Sequence, residues 1–192
     1  MSSQILDKTE SFDAAPAVIN RNYATFEDYL AQSSDTRQCE WVDGEIITMP
    51  GASFQHQNIN SFLITVMRFF VDRNDLGKIV VSPFAMKLEA QRRGREPDIL
   101  FVGKEKTHLI RKNYLDGAAD LAIEIVSPES VGRDRGEKFV EYEAAKIREY
   151  WLIDPERRQA EFYRLSENGF YTLVNLTDGV FASEVLPGFF LR

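Results

Sequence analysis

One acidic side chain stands where the local pattern calls for an apolar one, and a second opens another apolar strand. Glu124 lies within the segment ADLAIEIVS, residues 119–127. Alternation at period 2 puts Leu121, Ile123 and Ile125 on one face of a strand and Ala122, Glu124 and Val126 on the other. Both faces are apolar except at Glu124, the pattern of a strand covered on both sides. An ionised carboxylate there must find a metal, a cation or hydrogen-bond donors; the alternative to a functional role is a strand-end glutamate paired with a structural arginine. Asp98 follows Pro97 and opens a second apolar strand, Ile99–Val102. Two acids on neighbouring strands of one sheet can converge on a hard cation such as Mg²⁺, which prefers carboxylate and water oxygens.

Further residues gather around this pair. Lys138 falls on a helix expected from about Arg135 to Ile147. At 100° per residue Val140, Ala144, Ile147 and Trp151 form its apolar face, while Arg135, Lys138 and Tyr142 share the opposite side. Helix geometry favours solvent for that side; a functional reading turns it toward the carboxylates. Glu40, beside Trp41, and His56, in the first turn of a long helix, complete the candidates. A histidine on an apolar stripe is ordinarily a hydrogen-bonded core residue. Two basic runs, Arg92, Arg93 and Arg95 before Asp98 and Arg133, Arg135 and Lys138 after Glu124, read as a solvated loop and a solvated helix start. Ser127 lacks a Gly-x-Ser-x-Gly elbow, and the scattered glycines form no phosphate-binding loop.

The elements that must position these groups follow from the same pattern. Thr25 and Asp28 form a Thr-x-x-Asp cap for a helix through Phe26, Tyr29 and Leu30. Asp43-Gly44 predicts a hairpin between strands at Cys39–Val42 and Glu45–Met49. A helix is expected over Ser53–Arg73, with Ile59, Leu63, Val66, Met67 and Phe70 on its buried stripe and Gly77 just past its end. Strands are expected at 79–81, 84–88, 98–102, 121–126, 150–153, 161–165, 171–175 and 181–186, with a charged connection over 103–118. Helices alternate with strands, so the expected architecture is one mixed α/β domain over residues 23–192, a mixed central sheet flanked by helices, preceded by a flexible arm over residues 1–22.

Composition narrows the class. The chain has 192 residues, a net charge of −7 and a hydrophobic fraction of 44%, as in an ordinary globular protein. Bulk attraction is therefore excluded as its means of holding nucleic acid. One cysteine, Cys39, precludes an internal disulfide and a cysteine-based zinc site. No run is apolar enough to cross a bilayer and no secretory leader is evident, so no membrane association and a cytoplasmic location are the expectations.

Taken in order, EWVDGEI, His56, EPDILFV, LAIEIVSPES, Lys138 with Tyr142, and EYWLIDP resemble one family. It is the putative restriction endonuclease domain family abundant in photosynthetic bacteria, a branch of the PD-(D/E)XK nuclease superfamily. The resemblance runs from about Tyr23 to the C-terminus. It implies a restriction-endonuclease-like core, with Pro97-Asp98 as the PD element and Glu124 as the second acid. It implies Mg²⁺ or Mn²⁺ held by Asp98, Glu124 and the Ile125 backbone carbonyl, with Glu40 as a further acid or base oriented by His56. The superfamily lysine belongs two residues after Glu124, where this chain has Val126; Lys138 matches the helix position from which relatives supply a basic residue instead. Tyr142 is then expected to hold a phosphate or to position Lys138. The implied activity is metal-dependent cleavage of nucleic-acid phosphodiester bonds, with DNA the expected substrate and a homodimer the expected assembly. The alternative is a catalytically inactive nuclease fold serving as a dimeric nucleic-acid-binding or interaction module.

Overall fold

A computed structural model describes residues 19–20, 24–33 and 38–192. The chain runs β1 (Ile19–Asn20), α1 (Phe26–Ser33), β2 (Cys39–Val42), β3 (Glu45–Thr48), α2 (Phe54–Arg73), β4 (Gly77–Val81), β5 (Ala85–Leu88), β6 (Arg93–Arg95), β7 (Ile99–Gly103), β8 (Tyr114–Leu115), β9 (Leu121–Ile125), α3 (Lys138–Ala144), β10 (Glu149–Asp154), β11 (Gln159–Leu165), β12 (Tyr171–Leu173), β13 (Phe181–Ala182) and β14 (Phe190–Leu191). The mixed α/β class is as expected. In place of one central sheet there are two of six strands each, ordered β1-β3-β2-β6-β5-β8 and β12-β11-β10-β9-β7-β4, plus the small pair β13-β14. Of the arm expected over residues 1–22, β1 pairs antiparallel with β3, and the remainder lies outside the described residues.

Local chemistry accounts for the early elements. The Thr25 backbone N–H donates to Asp28 Oδ2 at 2.9 Å and the Asp28 N–H donates to Thr25 Oγ1 at 3.1 Å, a reciprocal cap on α1. Asp43 and Gly44 have φ of 50° and 93°, the two left-handed positions a tight hairpin requires. Ser53 caps α2 by accepting from the His56 N–H at 3.1 Å. Gly77 has φ 150°, and a Cβ there would stand 2.2 Å from the Val102 carbonyl oxygen, so glycine is needed where β4 meets β7.

The second sheet holds the core. On one face α2 packs Leu63, Met67 and Val71 against Ile79, Ile99, Leu121 and Ile123. On the other, Leu100, Ala122 and Val126 meet Tyr142 and Tyr150 together with Met86, Leu88 and Leu115 of the first sheet. Strand β9 is covered on both faces, as its apolar run implies. Most C-terminal aromatics are core residues: Phe162, Phe181 and Phe189 pack around Trp151. Phe170 and Phe190 are exposed.

Strand β6, Arg-Gly-Arg, has no apolar signature. It is held between β2 and β5, and a Cβ on Gly94 would come 2.8 Å from the Phe26 ring. The third helix departs from expectation in two ways. First, residues Arg133–Glu137 form a π-helical turn before α3 begins. The Tyr150 hydroxyl donates to the Asp134 carbonyl at 2.9 Å, and the Lys138 N–H bonds to the Arg133 carbonyl instead. A side chain that takes over a helical acceptor widens the turn in this way. Second, the face turned inward is the charged one: Asp134, Lys138, Glu141 and Tyr142 are buried, whereas Val140 is 62% exposed. Ion pairing across the two sheets outweighs the apolar stripe.

Candidate functional site

Asp98 and Glu124 meet at the junction of β7 and β9. These strands are antiparallel with Ile99 opposite Ile123, so one step further along the ladder Asp98 comes opposite Glu124. Cross-strand partners point to the same face. Asp98 Oδ2 accepts from the Ile125 N–H at 2.7 Å and lies 3.2 Å from His56 Nε2. Glu124 Oε1 accepts from the Tyr142 hydroxyl at 2.9 Å and lies 2.9 Å from Lys138 Nζ. Neither set of contacts uses Asp98 Oδ1 or Glu124 Oε2.

Lys138 is buried among three carboxylates: Glu124 Oε1 at 2.9 Å, Glu40 Oε1 at 2.9 Å and Asp134 Oδ1 at 3.4 Å. Burial works against its charge, but Glu124, Glu40 and Asp134 together hold its pKa above the ordinary lysine value. Glu124 shows the opposite balance. Burial raises its carboxyl to about 8; Lys138 opposes this, while Asp134, Asp98 and Glu40 add to it. The solvated side expected for Lys138 is thus replaced by a buried one.

Glu40 is fully buried, with Arg95 Nη1 2.7 Å from Oε2 and Lys138 on Oε1. Burial alone would raise its pKa, yet Lys138 and Arg95 hold it down to about 2. The Glu40 charge is thus opposed directly to those of Arg95 and Lys138. His56 contacts Asp98, not Glu40, because its place in the first turn of α2 brings it over the β7 end. Burial depresses the His56 pKa, but the Asp98 hydrogen bond and charge outweigh this and raise it. Tyr142 is fully buried and its hydroxyl serves Glu124, which removes it from contact with a phosphate.

The basic runs are ion-paired. Arg95 is fully buried between Glu40, Glu141 and Glu137, with Nε 2.7 Å from Glu141 Oε2. Arg93 pairs with Asp43 and Glu141, and Arg135 with Asp154 and Glu161. Sequence reasoning passed over Asp134 and Glu141 and read Arg95 as part of a solvated loop. Asp134 and Glu141 each left a trace, lying four residues before and three after Lys138 and so on its helical face.

These groups line a cleft of about 720 Å³ bounded by residues 49–56, 126–134 and 155–156. Among the described residues no three His, Cys, Asp or Glu side chains are arranged to hold a metal ion. The donor set is compatible with a hard divalent ion that keeps most of its water, because two opposed carboxylates each retain an oxygen outside their protein contacts.

The model of the family described as "Uma2: Putative restriction endonuclease" matches residues 26–192. The chain belongs to the Uma2 family. The family match covers every strand of the two sheets except β1, and every side chain of the cleft. A curated relative, the uncharacterized protein sll1609 of Synechocystis sp. (strain ATCC 27184 / PCC 6803 / Kazusa), is 25% identical over 142 residues, covering 73% of this chain and 80% of that protein. Among solved structures, a putative nuclease belonging to DUF820 from Anabaena variabilis ATCC 29413 aligns with a TM-score of 0.64 and 19% identity, covering 77% of this chain and 82% of that one. That likeness shows a shared fold. No helix among the described residues is long and apolar enough to cross a membrane.

Proposed function

We propose that this Uma2-family protein is a metal-dependent endonuclease that hydrolyses nucleic-acid phosphodiester bonds, with DNA as its substrate. One observation carries the reading: Asp98 and Glu124 oppose each other across β7 and β9 at the floor of a cleft, with a buried ammonium 2.9 Å from Glu124.

Asp98 and Glu124, with the Ile125 carbonyl, are the residues that would hold Mg²⁺ or Mn²⁺. When bound, such an ion polarises a phosphate oxygen and acidifies a water for in-line attack on phosphorus. The chain's own contribution is positioning and charge. Tyr142 and Lys138 fix Glu124 Oε1, so that Oε2 is left for the cleft. His56 and the Ile125 N–H fix Asp98 Oδ2 in the same manner. Lys138 stays protonated and supplies a fixed positive field where negative charge develops. Glu40 and Arg95 hold that lysine in place.

The test is cleavage of plasmid and single-stranded DNA with Mg²⁺ or Mn²⁺ by wild type, Asp98→Ala, Glu124→Ala and Lys138→Ala. Wild-type cleavage lost in all three variants is the expected result. An inert wild type that still binds DNA favours the alternative, a nuclease fold used only for binding. That alternative draws on the three carboxylates within 3.4 Å of Lys138. Full activity in Glu124→Ala removes the catalytic assignment.

A further inference from the structure

The nuclease reading needs a group that grips the phosphate, and the cations of the cleft are unequally free to do so. Three basic side chains line it: His56, Arg133 and Lys138. His56 Nε2 is engaged by Asp98. Lys138 stands within 3.4 Å of three carboxylates, so its charge is already matched inside the protein. The neighbouring arginines are spent elsewhere, Arg93, Arg95 and Arg135 each on two or more carboxylates.

Arg133 differs. Among the described residues its side chain makes no hydrogen bond, and its one ion pair, to Glu40 Oε2, is long at 3.9 Å. Its Nε is buried without a hydrogen-bond partner, although the side chain as a whole keeps 21% exposure into the cleft. A guanidinium carries five donors in a planar fork that matches two oxygens of one phosphate. A buried donor left unpaired is costly and is ordinarily satisfied by water or a ligand. The residue also opens the π-helical turn that leads into Lys138, so its backbone is set by the same Tyr150–Asp134 contact.

We propose that Arg133 is the substrate-binding residue that grips a backbone phosphate of the nucleic acid beside the Asp98–Glu124 pair. Lys138 then acts from behind Glu124 without itself contacting the phosphate. This assignment rests on the nuclease reading for its ligand class, but its test is independent of cleavage.

The experiment measures binding of a short fluorescein-labelled DNA strand to the full chain in EDTA, by anisotropy across a salt series. Wild type is compared with Arg133→Ala and Arg133→Lys, and thermal melting is followed for each. Removing Arg133 is expected to weaken binding by about tenfold or more and to lower the slope of log affinity against log salt by about one. Arg133→Lys should restore part of the affinity, as a point charge without the fork. Melting should change little, since the one ion pair of the Arg133 side chain is the 3.9 Å approach to Glu40. Equal binding and equal salt slope in Arg133→Ala overturn the assignment, as does a wild type that binds no DNA. Binding lost in Arg133→Ala by a wild type that never cleaves leaves the phosphate grip standing while the nuclease reading fails. Cleavage with an unaltered KM in Arg133→Ala gives the reverse.

Discussion

The Lys138 ammonium stands 2.9 Å from the Glu124 carboxylate, and both are buried. This contact joins α3 to the central strand of the second sheet, and through Glu40 the same ammonium reaches the first sheet. Structure and chemistry share one residue here, which makes the following outcomes measurable.

Lys138→Met should destabilise the fold by about 3–5 kcal/mol, because removing one partner leaves buried carboxylates uncompensated. Urea unfolding followed by tryptophan fluorescence checks this. A change below about 1 kcal/mol would show that Glu40, Glu124 and Asp134 find other partners.

Tyr142→Phe deletes the hydroxyl that donates to Glu124 at 2.9 Å and little else. The expected loss is about 1–3 kcal/mol, the cost of depriving a buried acceptor of its donor. If metal-dependent cleavage is present, it should fall with the ring packing intact, because Glu124 Oε1 loses one of its two positioning contacts.

Arg95→Met should be at least as damaging as the lysine change. Arg95 is fully buried and contacts Glu40, Glu137 and Glu141. A loss of about 3–5 kcal/mol is expected. Adding Glu40→Met and Glu141→Leu to the same chain should recover much of it, since apolar groups of similar volume carry no uncompensated charge. No recovery in the triple variant would assign the loss to packing.

Glu96 predicts a pH dependence. Burial, assisted by the Glu40 charge, raises its carboxyl from 4.5 to about 7, against the opposing hydrogen bond from Tyr29. Between those values the folded chain binds a proton that the unfolded chain does not. Its stabilising contribution is therefore complete below pH 4.5 and is lost as pH rises through 7. Glu96→Gln should be more stable than wild type at pH 8 by on the order of 1–3 kcal/mol, with no such gain at pH 4. Denaturation midpoints of the two proteins across this range read the difference.

Divalent cations should raise the melting temperature of the wild type. At ten times the dissociation constant the gain is about 1.4 kcal/mol, a shift of a few degrees. Asp98→Asn and Glu124→Gln should each reduce it, as followed by thermal unfolding in Mg²⁺, Mn²⁺ and EDTA. An equal shift in all three proteins would place the ion elsewhere.

The sequence by itself determined the locally patterned elements and marked Asp98 and Glu124. The capping pair Thr25 and Asp28, the Asp43-Gly44 turn, the stripe of α2 and the doubly apolar strand around Glu124 are local patterns, and backbone sterics and periodicity read them along the chain. What only the tertiary structure decided are the partners of the charges. Arg95 looked like part of a solvated loop, yet it is buried because Glu40 and Glu141, far from it in sequence, converge on it. The α3 helix was expected to bury Val140, but its charged side goes inward, since Lys138 gains three carboxylates there and Val140 gains none. His56 took Asp98 in place of Glu40 for the same reason. Pairing energies between distant residues exist only once β6, β9 and α3 are packed together, and no periodicity along the chain encodes them.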